Sequence, residues 1–232
     1  MKKNSLSLII FALNEDKIIG QVLKEYCEFF KKFDFDLEVI FLDDGSDDQT
    51  FEKSLELRKN YAFLKCVKNE KNIGIGKTIK KGFDLATSEY VTYMPGDCAF
   101  DLSSLHSSLL KFKNFDFIIC ARANNKQRNF KRFFLSRLLT LILNFIFRQN
   151  LIDYNAFVIV KKRLINEIVL FQDQTISWTL ILQLMWKKYN YCEIHVKIKI
   201  PEPGNQSTAI NLKSFYINFL GLIKLLKIKW KI

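Results

Sequence analysis

Hydrophobic and polar positions follow two rhythms along this chain. Leu6 to Leu13 is a continuous apolar run, the signature of a strand covered on both faces, and it stops at Asn14-Glu15-Asp16. The segment after it sets Ile18, Ile19, Val22, Leu23, Tyr26, Phe29 and Phe30 at helical spacing. Both rhythms recur, with strands over Leu37 to Leu42, Phe63 to Val67 and Tyr90 to Met94 and helices over Asp47 to Asn60 and Gly76 to Ala86. Strand and helix in alternation at this spacing predict an α/β fold, a single Rossmann-like domain with a mostly parallel central sheet flanked by helices.

Beyond residue 100 the pattern predicts a helix over Leu102 to Lys113, a strand over Phe115 to Cys120 and a strongly apolar helix over Phe130 to Phe147. A short strand follows over Ala156 to Val160, then a helix over Ile176 to Lys188. From Cys192 to Ile200, Ile194, Val196, Ile198 and Ile200 alternate with Glu193, His195, Lys197 and Lys199, which suits a strand with one wet face that ends before Pro201 and Pro203. Composition shifts only near the end. Residues 1–210 therefore read as one domain and 211–232 as a basic amphipathic helix, which can lie in a bilayer interface or pack on its own domain or on a second copy.

Composition narrows the partners. With 49% hydrophobic and 26% charged residues the chain is not of the disordered class. A net charge of +12 calls for an anionic partner: nucleic acid, an anionic membrane surface or a phosphorylated small molecule. The basic residues gather beside apolar helices and not among exposed aromatics, which favours the membrane over nucleic acid. Five scattered cysteines without a C-x-x-C pair exclude a zinc site and a disulfide framework and point to a reducing, cytoplasmic location. No secretory cleavage site follows the N-terminus and no apolar run reaches 18 residues, so membrane contact is expected to be peripheral, at the inner face of the cytoplasmic membrane.

Candidate chemistry lies where strands end. In an open parallel sheet, ligands bind at the carboxyl ends of the strands, and three such ends here are polar: Asn14-Glu15, Asp43 to Asp48, and Gly96-Asp97 with Asp101. Carboxylates there can accept hydrogen bonds from a base or ribose, or hold a divalent cation against a diphosphate. Ser46 and Asp47 equally fit the cap of the following helix. Gly76-Lys77-Thr78 is not a phosphate loop, because Lys71 stands where that motif needs glycine, and Ile79 breaks a G-x-G-x-x-G reading. Gly74 and Gly76 still permit close backbone approach. His106 and His195 read as surface or core residues.

Three segments, Ser7 to Glu15, Val39 to Thr50 and Asn69 to Gly82 with its Asn72 and Gly74, resemble the nucleotide-binding half of the inverting family 2 glycosyltransferases of GT-A fold, and most of all the dolichyl-phosphate mannose synthase branch. The resemblance spans about residues 5 to 207 and is closest before residue 102. It implies that Ala12, Asn14, Glu15, Ser46 and Gly74 border a nucleotide sugar, that Asp43 and Asp44 bind its base and ribose, and that Asp97 is an acid of the D-x-D metal motif. It implies too a divalent cation, Mg²⁺ or Mn²⁺, that offsets the leaving diphosphate. Pro95 stands where the first acid of that motif is usual, and Phe11 where proline is usual; Asp101 is the nearest substitute ligand, or the cap of the helix at Leu102.

The family's base for a hydroxyl acceptor has no counterpart in Gln174 to Thr179, and neighbouring Asp173 suits a helix cap. A phosphate is already ionised and needs no base, so the resemblance favours a polyprenyl phosphate acceptor over a glycan hydroxyl. Arg122 and Arg137 match family arginines read as contacts to the acceptor phosphate, with Arg128, Lys131 and Arg132 on the basic face beside them. Asp153, ahead of Ala156-Phe157, matches an acid that precedes a Gly-Phe pair. Gly204 to Ser207 resembles a closing loop. A domain that binds nucleotide sugar without turnover is the third reading, prompted by Pro95 and the absent downstream acid.

Overall fold

In the computed structural model, which describes residues 4–97, 100–123, 130–199 and 212–229, the strands β1 (Ser5–Ala12), β2 (Asp36–Asp43), β3 (Leu64–Lys68), β4 (Tyr90–Pro95), β5 (Phe117–Arg122), β6 (Phe157–Lys161) and β7 (Tyr191–Val196) share one sheet. Their order is β3-β2-β1-β4-β6-β5-β7. All pairings are parallel except the two made by β6, which runs against β4 and β5. Leu8, Ile9, Ile10, Val39, Ile40 and Phe41 are fully buried, as continuous apolar runs require in a sheet covered on both faces.

The crossover helices are α1 (Ile19–Phe30), α2 (Thr50–Arg58) and α3 (Ile75–Leu85). α3 lies close on β1: a side chain at Gly82 would meet Ile9 Cγ2 at 2.5 Å. The helix read over Asp47 to Asn60 starts only at Thr50, because Asp47 and Asp48 are bonded to the turn after β1 and hold the segment out of helical geometry. The single helix read over Leu102 to Lys113 is three pieces, a 3₁₀ turn (Leu102–Leu105), α4 (His106–Lys111) and a second 3₁₀ turn (Phe112–Asn114). β5 then begins at Phe117 and not at Phe115, since Asp116 is tied to Lys161 and to the backbone of Asn190.

The apolar helix α5 (Phe130–Phe147) connects β5 to β6; after β6 come α6 (Lys162–Ile165) and α7 (Ile176–Trp186). α7 is buried along most of its length, with Trp178, Leu180, Ile181, Leu182 and Leu184 out of contact with solvent. The run from Cys192 to Ile200 is strand only as far as Val196, after which Ile198 forms an isolated bridge with Phe100. The last helix, α8 (Leu212–Lys229), is docked on α7. Gly221 sits against Thr175 and Trp178, the Trp178 indole N–H donates to Asn218 Oδ1 at 3.1 Å, and Leu225 is fully buried. The helix thus packs on its own domain through Gly221 and Leu225, while Phe215, Tyr216 and Phe219 stay exposed. Arg128, Cys98 and the loop 204–207 lie outside the described residues, as do the side chains of Lys131 and Arg132.

Candidate active site at the carboxyl edge of the sheet

Parallel pairing sets Ala12 beside Asp43 and Phe11 beside Pro95, so the ends of β1, β2 and β4 reach one edge together. Ala12 is small for a reason: the Gly96 backbone crosses it so closely that a side chain at 96 would lie 2.8 Å from the Ala12 Cβ. Gly96 N–H donates to the Phe11 carbonyl and the Pro95 carbonyl accepts from the Tyr26 hydroxyl at 3.1 Å. Pro95 is half-buried at the end of β4, and Asp97, two residues on, is exposed at the edge.

Asn14 turns the chain after β1 with φ 54°, in the left-handed region that asparagine tolerates better than most residues. Its N–H donates to the Ser46 hydroxyl at 2.9 Å and its Oδ1 accepts from the Asp47 N–H at 3.0 Å. Glu15 N–H donates to Thr50 Oγ1 at 2.8 Å. These bonds stitch the loops after β1 and β2 into one surface and leave the Glu15 carboxyl half-buried. Burial, then the negative charges of Asp97 and Asp48, push that carboxyl above its ordinary value. Ser46 is a linking residue here; neither it nor Asp47 caps α2.

Asp43 and Asp44 are adjacent in sequence and opposite in use. Asp44 Oδ1 accepts from Asn69 Nδ2 at 2.9 Å, Ile73 N–H at 3.0 Å and Thr78 Oγ1 at 2.8 Å, and its Oδ2 accepts from Gly74 N–H at 3.0 Å. It is the hub that fastens the segment from Asn69 to Thr78 against the end of β2. Gly45 and Gly74 let that segment close in: both have positive φ, and a side chain at Gly45 would meet the Lys71 backbone carbon at 2.4 Å. Asp43 is fully buried, and one of its oxygens accepts from Ser46 N–H at 2.7 Å. Its other oxygen, Oδ2, is buried with no hydrogen-bond partner. A buried acceptor left without a donor costs about 1–3 kcal/mol, and a ligand that brings an N–H or O–H relieves it.

Of the two acids expected to serve a base and ribose, Asp44 is engaged within the fold and Asp43 keeps one buried oxygen without a partner. Thr78 and Asn69 are the partners that sequence reasoning did not single out for Asp44. The signal for Thr78 was a polar residue on the otherwise apolar face formed with Ile79, Gly82 and Phe83.

Other expected residues are engaged within the fold. Asp101 caps the 3₁₀ turn at Leu102, accepting from Ser103 N–H at 3.1 Å and Ser103 Oγ at 2.7 Å. Asp173 accepts from Thr175 N–H and Oγ1 ahead of α7, and its backbone lies within 2.1 Å of where a Gly76 side chain would be. Arg122 and Asp153 form a buried two-pronged pair, Nε to Oδ2 at 2.5 Å and Nη2 to Oδ1 at 2.9 Å. Burial alone would raise the Asp153 carboxyl; the Arg122 charge and hydrogen bonds outweigh it and hold the group below its ordinary value. Arg122, expected from the resemblance to contact an acceptor phosphate, is held by Asp153 through Nε and Nη2. Arg137 is exposed on α5. Among the described residues no three acid, histidine or cysteine side chains come together as ligands for a metal ion, and both histidines lie at the surface, His106 tilted onto Phe33 at 5.3 Å between ring centres.

Comparison with known proteins bears on the family and the fold. A cholesterol galactosyltransferase of Borreliella burgdorferi is 31% identical over 109 residues, 47% of this chain and 28% of that protein. The dolichyl-phosphate beta-glucosyltransferase ALG5A of Trichomonas vaginalis is 29% identical over 133 residues, 53% of this chain and 41% of that protein. The chain spans less than half the length of these relatives. The glucosyl-3-phosphoglycerate synthase of Mycobacterium tuberculosis, solved with Mn²⁺, UDP and glucosyl-3-phosphoglycerate, superimposes with a TM-score of 0.64 over 86% of this chain and 73% of its own, at 12% identity. That likeness establishes the GT-A fold, and residues 7–169 match the model of glycosyl transferase family 2, the family to which this chain belongs.

Proposed function

We propose that this chain moves a sugar from a nucleoside diphosphate sugar to the phosphate of a polyprenyl phosphate at a membrane surface, with inversion at the anomeric carbon. The observation that carries the donor half is the buried, unpartnered Asp43 Oδ2, an acceptor aimed at a base or ribose donor group. Asn14, bonded to the Asp47 N–H, lies at the same edge after β1, and Asp44 holds Gly74 there.

The donor set fits a divalent cation shared with the substrate. Glu15 and Asp97 repel one another across the edge, and hard cations are commonly held by one or two carboxylates together with phosphate oxygens. Asp97 would be its protein ligand, and the cation would supply positive charge at the departing diphosphate.

The acceptor half rests on two features. The segment Gln174 to Thr179 has no acid, and neighbouring Asp173 accepts through Oδ1 from Thr175 N–H and Oγ1; an acceptor phosphate oxygen attacks the anomeric carbon without a base as the bond to the diphosphate breaks. Arg137 stands on the exposed side of α5 beside Phe134, Leu138 and Leu141, a cation among apolar groups as a lipid phosphate requires. A relative named for dolichyl phosphate favours a lipid phosphate acceptor, and one named for cholesterol, whose accepting group is a hydroxyl, favours only a lipid acceptor in the wider sense.

The test offers the purified chain labelled UDP-, GDP- and dTDP-sugars with Mn²⁺, and either polyprenyl phosphate or an oligosaccharide. Product on the lipid phosphate, lost in Asp97→Asn, is the expected result. Product on the oligosaccharide alone overturns the acceptor assignment. Neither transfer nor a thermal shift with any donor overturns the reading as a whole.

A further inference from the structure

α5 leaves some of the largest apolar side chains of the chain in solvent. Phe134, Leu138, Leu141 and Phe145 recur at i, i+4, i+7 and i+11, one helical face, with Leu135 and Ile142 on its flank. Phe145 is 87% exposed and Leu141 59%. The inner side of the helix is already used: Thr140, Leu143 and Phe147 are buried. The strong apolarity of this segment therefore comes from two apolar faces, of which the fold covers one. Single exposed apolar residues are ordinary, whereas a contiguous row about 16 Å long marks a contact surface.

Charge decides between the candidate occupants. Neither α5 nor α8 contains an aspartate or glutamate. Arg137 projects beside the row, Arg148 follows the helix, and Lys224 and Lys227 are exposed on α8. A second copy seated on this face would bring like charges together. A layer of anionic headgroups over hydrocarbon matches both the cations and the row. Among the described residues no helix is long and apolar enough to cross a membrane, so α5 would lie along the surface. The sequence gives that role to the basic terminal helix, yet α8 turns Gly221 and Leu225 inward and offers Phe215, Tyr216 and Phe219 near its start as a smaller apolar contact.

We propose that the outer face of α5, from Phe134 to Phe145, is the surface by which this chain docks on an anionic lipid bilayer, with Arg137 among the headgroups. The inference deepens the membrane part of the functional reading above and rests on it for its purpose. Its test uses neither donor nor acceptor, so that either can fail alone.

The full chain is sedimented with vesicles of phosphatidylcholine mixed with phosphatidylglycerol, and with phosphatidylcholine vesicles. Binding to the mixed vesicles is expected to exceed binding to the neutral ones and to weaken in high salt. The triple variant Phe134→Ser, Leu141→Ser, Phe145→Ser is expected to bind the mixed vesicles about tenfold or more weakly, with its thermal midpoint retained. Lys224→Ser with Lys227→Ser is expected to cost less. Equal binding by the triple variant and the parent overturns the proposal. So does a parent that ignores vesicles and forms a dimer which the triple variant dissolves, since that result gives the face to a second copy.

Discussion

The carboxyl edge of the sheet and the outer face of α5 are built on opposite terms. At the edge nearly every polar group answers another within the fold: Asn14 to Ser46 and Asp47, Glu15 N–H to Thr50, Asp44 to four donors. One buried oxygen, Asp43 Oδ2, is left over. On α5 a row of large apolar groups is left over. The difference shows that a fold leaves over different groups in different places: an unpaired hydrogen-bond acceptor at the edge, uncovered apolar surface on the helix.

Substitutions can break this contrast or sharpen it. The largest effect is expected from Arg122→Ala, which strands Asp153 as an uncompensated buried charge and should lower stability by about 3–5 kcal/mol in denaturant titration. If Arg122 instead gripped the acceptor, the fold would be unharmed and only the acceptor KM would rise. Asp44→Ala should follow, at about 2–4 kcal/mol, because several buried donors lose their acceptor at once. Asp43→Asn should change stability by no more than about 1 kcal/mol while weakening donor binding about tenfold to a hundredfold, as read by titration calorimetry. Equal damage from the two neighbouring substitutions would erase the distinction between hub and binding acid.

A smaller effect is expected from pH, away from both regions. Glu38 is buried at the opposite end of β2 and accepts from Ser7 Oγ at 2.5 Å, Lys65 Nζ at 2.6 Å and Thr87. Burial works to raise its carboxyl, and these bonds outweigh burial and lower it. A lowered carboxyl stabilises the fold fully above the ordinary glutamate value, about 4.3, and loses that contribution as pH falls through the folded value. Glu38→Gln should flatten the acid limb of the stability profile. The smallest effect belongs to Phe145→Ser, within about 0.5 kcal/mol by thermal melt, since the residue touches so little of its own fold.

The two regions were also unequally legible in the sequence. β1, β2, β3 and β4 announce themselves as apolar runs between polar ends, and the parallel sheet follows from their spacing. The acids at their ends were visible as well, yet their division of labour was not. Asp44 meets Asn69 and Thr78 across intervals of 25 and 34 residues, and no local pattern encodes such partners. Arg122 and Asp153, 31 apart, were hidden for the same reason. The late start of α2 was concealed because capping residues look alike whether they bond forward to their helix or backward to another loop. Apolar content named α5 as a helix but gave no count of its covered faces.

The reversed strand β6 has a meaning for how such a molecule changes over time. Since β5 and β6 are antiparallel neighbours, the connection that contains α5 leaves the sheet at its carboxyl edge and comes back at that same edge. It is a detour, not a crossover, and the loop-closure cost of a detour grows only slowly with its length. The segment can therefore be lengthened, shortened or resurfaced with β5 and β6 still paired. A scaffold of this kind allows that connection to diversify while the ends of β1, β2 and β4 stay as they are.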